Sequence, residues 1–225
     1  MTNKLLFFVL LALCFSGCDM LETHPYDVHI TGERELTNKN IQLIENKMQG
    51  KKTIRFAMIS DTQRWYNSTE DVVKALNARG DIDFVIHGGD QSDFGVTKEF
   101  IWMRDIFNKF QMPYVCLLGN HDCLGTGEDA YRAIYGDPNF AFTAGNVRFI
   151  CLNTNAMEYD YSEPVPDFNF IENELNNLSP EIEKTVDDLF NDGVLYFQCP
   201  CIDKRIYLLF TIKEDGTYDY ETVEF

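Results

Sequence analysis

Three oxygen-bearing residues stand at regular intervals in the first half of the sequence, each directly after a short apolar run. They are Asp61, Asp90 and Asn120, so the intervals are 29 residues (90 − 61) and 30 residues (120 − 90). Each interval is about the length of one β-α-β unit. Two carboxylates and one carboxamide are the hard oxygen donors that divalent cations prefer. If the three side chains converge, the sequence predicts a cation site.

The elements that must position these residues alternate between strands and helices. Apolar runs predict strands at 54–60, 84–87 and 113–118, and helical patterns at 68–79, where Ser68 opens a cap, and 97–110 lie between them. This alternation indicates β-α-β units with a largely parallel inner sheet. The carboxyl ends of such strands line one crevice, which brings the three residues together.

Further elements are predicted on either side of this region. Before it lie a strand at 26–30 and a helix at 38–48, and after it the patterns predict strands at 140–143, 147–153, 194–198, 206–212 and 218–225 with a helix at 168–178. The last two strands are joined by Glu214-Asp215-Gly216, a hairpin signal. Length and apolar content fit one core.

Two short strings make the pattern more specific. Residues 89–93 are Gly-Asp-Gln-Ser-Asp and residues 119–122 are Gly-Asn-His-Asp. With the aspartate at 61, these strings resemble the calcineurin-like metallophosphoesterase family, whose signature is DxH, then GDxxD, then GNH[DE]. The resemblance covers residues 53–155. It implies an α/β fold, a β-sandwich flanked by helices in four layers (α/β/β/α), with an incomplete second half in this chain.

The resemblance also implies metal ligands. Asp61 would bind a first metal, Asp90 would bridge two metals, and Asn120 would bind the second. Gln63 stands where the family has the histidine of DxH, and its neutral amide is a weaker ligand than imidazole for transition metals. The implied cofactor is a divalent ion (Mn, Mg, Fe or Zn) at one or two sites, and the implied partner is a phosphorylated substrate.

A catalytic pair follows from the same resemblance. His121 would face the phosphate, and Asp93 would be its hydrogen-bonded carboxylate partner. A histidine oriented in this way can stabilise charge on the transferred phosphoryl group or protonate the leaving oxygen. Aromatic residues could form a substrate rim, although surface packing is the favoured explanation for each; they are Trp65, Tyr66, Tyr159 and Tyr161.

The family has three further histidine ligands after GNH[DE], and this chain lacks them. Its four histidines end at His121, and a strand, a helix and a loop relative to the family are missing near Thr185 and Val186. We therefore expect at most one tightly bound metal and an impaired phosphate mono- or diesterase. The alternative is a non-catalytic lipoprotein that keeps the fold as a binding or vestigial domain.

The N-terminus predicts export and membrane attachment. Residues 1–17 have one lysine and an apolar run too short to span a bilayer, which is typical of a signal peptide. The small residues before Cys18 resemble a bacterial lipobox, so Cys18 is expected to carry lipid; an ordinary cleaved signal is the alternative. The mature chain would comprise a lead-in at 18–52 and a phosphoesterase domain at 53–225, held in the bacterial cell envelope and facing the periplasm or cell exterior.

Charge and cysteine content exclude other classes. The net charge of −17 argues against binding nucleic acid. Cys116 and Cys151 lie in apolar runs typical of buried free thiols, and no disulfide framework is expected. Cys199 and Cys201 have a spacing found in some metal sites, but a second cysteine pair is lacking nearby, so a structural role is favoured.

Overall fold

A computed structural model describes residues 24–160, 162–177 and 198–225 of the chain. The signal sequence with Cys18, the rim candidate Tyr161 and most of the strand expected at 194–198 lie outside these ranges. So does the region near Thr185, where a segment of the family is expected to be missing.

A five-stranded mixed sheet forms the centre of the molecule, in the order β3-β2-β1-β6-β7. The first three strands are parallel, and the last two are antiparallel to their neighbours. Phe56 in the central strand lies opposite Phe84 on one side and Phe210 on the other. The strands are β1 Ile54–Ile59, β2 Phe84–His87, β3 Tyr114–Cys116, β6 Ile206–Ile212 and β7 Tyr218–Glu224.

Helices and a small second sheet cover the two faces of the central sheet. The helices are α1 Leu36–Met48, α2 Tyr66–Arg79, α3 Thr97–Phe107, α4 Gly127–Ile134 and α5 Phe168–Asn176, and the second sheet pairs β4 Phe140–Ala144 with β5 Val147–Cys151. Because side chains alternate along a strand, Ala57 and Ile59 pack toward α2, α3 and α4, whereas Phe56 packs toward the second sheet and α1. This architecture confirms the predicted α/β fold of the metallophosphoesterase type.

Several local predictions were wrong. Residues 26–30 form no strand, although Ile30 is buried against the core. Helix α2 begins at Tyr66 after Trp65, earlier than the cap predicted at Ser68. Helix α4 was not predicted, since it has only eight residues and begins at a glycine. The hairpin at 214–216 is confirmed, with Lys213 N–H donating to Thr217 O at 2.8 Å.

The lead-in before β1 packs on the domain. Ile44 and Met48 of α1 are fully buried beneath the central sheet. The buried guanidinium of Arg104 in α3 donates to the main-chain oxygens of Thr31 and Glu33. Within the described ranges, every helix is too short or too polar to cross a bilayer.

Candidate metal centre

The loops after β1 and β2 meet at one edge of the central sheet. Asp61 N–H donates to Gly89 O at 3.1 Å, while the N–H groups of Thr62 and Gln63 both donate to Asp90 O, at 3.0 and 3.1 Å. Asp61 and Asp90 both have left-handed backbone conformations, with φ of 52° and 63°. Such a conformation costs about 1 kcal/mol or more for a residue other than glycine. The hydrogen bonds between the loops hold both aspartates in it.

The carboxyl groups of Asp61 and Asp90 are close enough to interact electrostatically. Burial raises the pKa of Asp90, the N–H of His121 opposes this shift by donating to Asp90 Oδ1 at 3.0 Å, and the neighbouring Asp61 carboxyl raises the pKa further. Two neighbouring carboxylates repel each other, and a cation between them would remove the repulsion. The structure thus brings together the two predicted carboxylate ligands.

The two amide ligands differ in their surroundings. Gln63 Oε1 is buried and has no hydrogen-bond partner. A buried oxygen in this state is costly, and a cation would satisfy it. The Asn120 side chain is exposed at the same edge, beside the His121 N–H that binds Asp90. The donor set therefore fits a hard divalent cation.

The donor set is nevertheless poor in anionic ligands. Across residues 24–160, 162–177 and 198–225, no group of three or more histidine, cysteine, aspartate or glutamate side chains is arranged to hold a metal ion. Two carboxylates with neutral amide oxygens can balance the charge of one divalent cation but not of two.

Asp122 connects the loop after β3 to the loop after β2. Its buried carboxylate accepts four main-chain N–H groups, from Asp90 (2.9 Å), Gln91 (2.9 Å), Ser92 (2.8 Å) and Gly119 (3.0 Å). Burial raises the pKa of Asp122 to about 7, and these hydrogen bonds act against the rise. No role was predicted for Asp122, although it is the fourth position of the Gly-Asn-His-Asp string.

Two glycines allow the same loops to approach closely. A Cβ on Gly119 would lie 2.1 Å from Asp90 Oδ1 and 2.2 Å from Asp90 N. A Cβ on Gly89, whose φ is 110°, would lie 2.8 Å from Gly119 Cα. Each value is far below a van der Waals contact, so any larger residue at Gly119 would push Asp90 away from its position.

The predicted pair of His121 and Asp93 is present with a different contact. His121 Nδ1 lies 3.0 Å from the main-chain oxygen of Asp93 but 3.8 Å from its carboxylate Oδ1. Because a carbonyl oxygen only accepts, Nδ1 carries the proton. The prediction of a carboxylate partner is therefore corrected: the Asp93 carboxylate binds the guanidinium of Arg64, a residue that the sequence reading did not select. The hydrogen bond to the Asp93 carbonyl raises the pKa of His121.

Glu99 holds the end of the loop after β2 through its carboxylate. Glu99, in the first turn of α3, accepts the N–H groups of Asp93 (3.2 Å), Phe94 (3.1 Å) and Val96 (3.3 Å). These contacts fix the end of the loop after β2. Position three of a helix is a known place for such a glutamate, and this signal could have identified Glu99 from the sequence.

His87, the last residue of β2, holds the loop after β1. Its Nδ1 accepts Gly89 N–H at 3.1 Å, so the proton lies on Nε2, which donates to Thr62 Oγ1 at 2.9 Å. Burial lowers the pKa of His87 to about 3, which keeps the imidazole neutral. His87 is therefore a structural residue.

The C-terminal part of the chain reaches the centre through main-chain contacts. Cys201 Sγ lies 3.3 Å from Asp61 O, and Ile202 N–H donates to Ser60 O at 3.2 Å. Cys199 Sγ lies 3.3 Å from Met58 O, further down β1. Both are free thiols, and Cys116 and Cys151 are buried free thiols as predicted.

Comparison with known proteins assigns the family. The sequence model of calcineurin-like phosphoesterases matches residues 54–210, more than half of the chain. The protein therefore belongs to the calcineurin-like phosphoesterase family. No curated protein matches the sequence.

Two solved structures, of a phosphatase and of a predicted phosphoesterase, resemble parts of the fold. A purple acid phosphatase from yellow lupin (Lupinus luteus) seeds is 18% identical with a TM-score of 0.44, over 58% of this chain and 29% of that one. A predicted phosphoesterase from Streptococcus pneumoniae is 12% identical with a TM-score of 0.36, over 76% of this chain and 98% of that one. The chain thus spans less than a third of the lupin enzyme.

Proposed function

We propose that this protein is a metal-dependent phosphoesterase that hydrolyses a phosphate mono- or diester with a reduced metal centre. The observation that carries this proposal is the main-chain pairing that holds Asp61 and Gln63 against the Gly89–Asp90 segment, together with the buried Gln63 Oε1, which has no hydrogen-bond partner. Family membership supports the phosphoesterase class. The metal requirement and the reduced activity are inferences from the donor set.

Some residues of the centre would bind the metal, and others would bind or orient the substrate. Asp61, Asp90, Gln63 and Asn120 would hold a single hard ion such as Mg²⁺ or Mn²⁺. A bound cation of this kind stabilises charge on phosphate oxygens and acidifies a water molecule. With Nδ1 of His121 donating to the Asp93 carbonyl, Nε2 is the nitrogen that can face a phosphate oxygen. Asp93 orients the histidine through its main chain and holds Arg64 through its carboxylate.

Turnover of a chromogenic phosphodiester with added Mn²⁺ tests the proposal. We expect slow hydrolysis that a chelator abolishes and that Asp90→Asn reduces to background. Asp137→Asn is the matched control, because Asp137 is exposed and its carboxylate only accepts Asn139 N–H at 2.9 Å and lies 3.9 Å from Arg132 Nη1. Hydrolysis that is absent at every Mn²⁺ concentration would favour the non-catalytic alternative.

We also propose that the protein is a lipoprotein of the bacterial cell envelope, held by lipid on Cys18. The support is the signal-like sequence at 1–17 followed by small residues and a cysteine. The wild-type protein should fractionate with membranes, and Cys18→Ser should release it. A substituted protein that stays equally membrane-bound would refute the lipid attachment.

A further inference from the structure

We propose that Arg64, Phe94 and Leu124 form a substrate subsite beside the metal centre that binds a phosphoester carrying a bulky apolar group. This inference rests on the proposed phosphoesterase function and adds the substrate class. Arg64 would bind phosphate oxygens, while Phe94 and Leu124 would contact the apolar group.

The guanidinium of Arg64 is placed for an anion. Its side chain is 58% exposed, and it shares Asp93 Oδ1 with His121, whose Nδ1 lies 3.8 Å from the same oxygen. Arg64 is the residue after Gln63, has a left-handed backbone with φ of 60°, and pairs with the Asp93 carboxylate. A planar guanidinium matches phosphate oxygens in a bidentate geometry. A phosphate at the centre would therefore contact the Arg64 guanidinium, which is already positioned beside His121.

The apolar wall is built from two touching loops. Phe94 follows Asp93 and is 58% exposed, while Leu124, at the end of the turn that begins with His121, is 40% exposed. A Cβ on Gly95 would lie 1.8 Å from Leu124 O, so the main chains of the two loops are in contact. Leu124 N–H donates to His121 O at 3.3 Å. The two exposed apolar residues therefore lie on segments whose main chains touch, and one of these segments begins at His121.

The wall is held in place without a ligand. Glu99 accepts the Phe94 N–H at 3.1 Å, and the ion pair of Arg64 with Asp93 ties the loop after β1 to the same segment. Trp65, which follows Arg64 in the sequence, is also 38% exposed. Large exposed apolar side chains next to a guanidinium and an imidazole are complementary to an amphipathic anion. Inorganic phosphate and small polar phosphoesters have no apolar group that would contact Phe94 and Leu124.

Binding of non-hydrolysable phosphonates tests the subsite without requiring turnover. Methyl-, phenyl- and hexylphosphonate are titrated calorimetrically into the full chain with Mn²⁺ present. Phenyl- or hexylphosphonate should bind about tenfold more tightly than methylphosphonate, equivalent to about 1.4 kcal/mol. Comparison of phenyl with hexyl shows whether the apolar group is aromatic or aliphatic.

Three variants separate the parts of the subsite. Phe94→Ala should reduce the preference for phenyl- or hexylphosphonate over methylphosphonate to about twofold. Phe168→Ala, which removes an exposed phenylalanine on α5, should leave this preference unchanged. Arg64→Gln should weaken all three phosphonates by a similar factor. Equal binding of the three phosphonates by the wild type, absence of binding, or a preference unaffected by Phe94→Ala would overturn the proposal. If phenyl- or hexylphosphonate still binds more tightly than methylphosphonate but the chromogenic phosphodiester is not hydrolysed, the result contradicts the proposed function alone.

Discussion

The loops after β1, β2 and β3 differ from the later part of the chain in what they contribute to the candidate metal centre. The loops supply every proposed ligand and bind one another through the Asp122 carboxylate and the Asp90 main chain. The later segments support them through main-chain oxygens: Cys201 contacts Asp61 O, and Asn155 Nδ2 donates to Leu118 O at 2.9 Å. No histidine follows His121 in the sequence.

This difference shows that the shape of the motif loops and the number of metal ligands are separate properties. The loop geometry depends on local hydrogen bonds among residues 60–122, so it does not require ligands from the second half. A well-formed set of motif loops is therefore compatible with an incomplete metal centre. The predictions below alter the loops, their supports or the later segment in turn.

The largest effect is expected from Gly119→Ala, because its Cβ would lie 2.2 Å from Asp90 N. We expect a loss of about 3 kcal/mol or more in unfolding free energy, measured by urea denaturation. Gly80→Ala is the control: its φ is 69° and a Cβ there meets nothing within 4 Å, so about 1 kcal/mol is expected. Equal losses in the two variants would show that close loop packing is unimportant.

Asp122→Asn tests the hydrogen bonds that join the loops. An asparagine amide can accept at only one of its two polar atoms, so its NH₂ group would face at least two of the four main-chain donors now bound to Asp122. We expect destabilisation of about 3 kcal/mol and weaker Mn²⁺ binding. The result would contradict this account if the variant kept both wild-type stability and wild-type affinity.

The elements of this fold were largely predictable from the sequence, and the site only in part. Hydrophobic runs predicted β1, β2 and β6 closely because those strands are buried. Helix α4 was missed because it has only eight residues and begins at a glycine, and the start of α2 was missed because its N-cap, Trp65, offers no side-chain capping group. The pairing of the Asp93 carboxylate with Arg64 instead of His121 was not predictable. It depends on where the side chain of Arg64, a residue with a left-handed backbone, points.

A smaller effect, on pH dependence, follows from His87. Its folded pKa of about 3 lies below the usual value of 6.5, so its stabilising contribution is present above pH 6.5 and declines as pH falls toward 3. Between pH 7 and pH 5 the wild type should lose about 2 kcal/mol more than His87→Gln, because only the wild type gains a proton at this site on unfolding. Parallel stability profiles for the two proteins would show that His87 does not titrate in this way.

The smallest effect is expected in the later segment. Cys201→Ser keeps a donor near Asp61 O, and a neutral hydrogen bond contributes about 1 kcal/mol, so Mn²⁺ affinity should change by less than about fivefold. A loss of a hundredfold or more would make Cys201 a metal ligand and would assign a chemical role to the later part of the chain.

The central claim is that the loops retain half of a two-metal centre and hold one cation. Metal content per chain, measured by mass spectrometry after Mn²⁺ loading and removal of free ion, tests it most directly. The account predicts close to one Mn²⁺ per wild-type chain and almost none in Asp90→Asn, since Asp90 is the carboxylate at the middle of the donor set. Two Mn²⁺ per chain, or one that remains in Asp90→Asn, would contradict it.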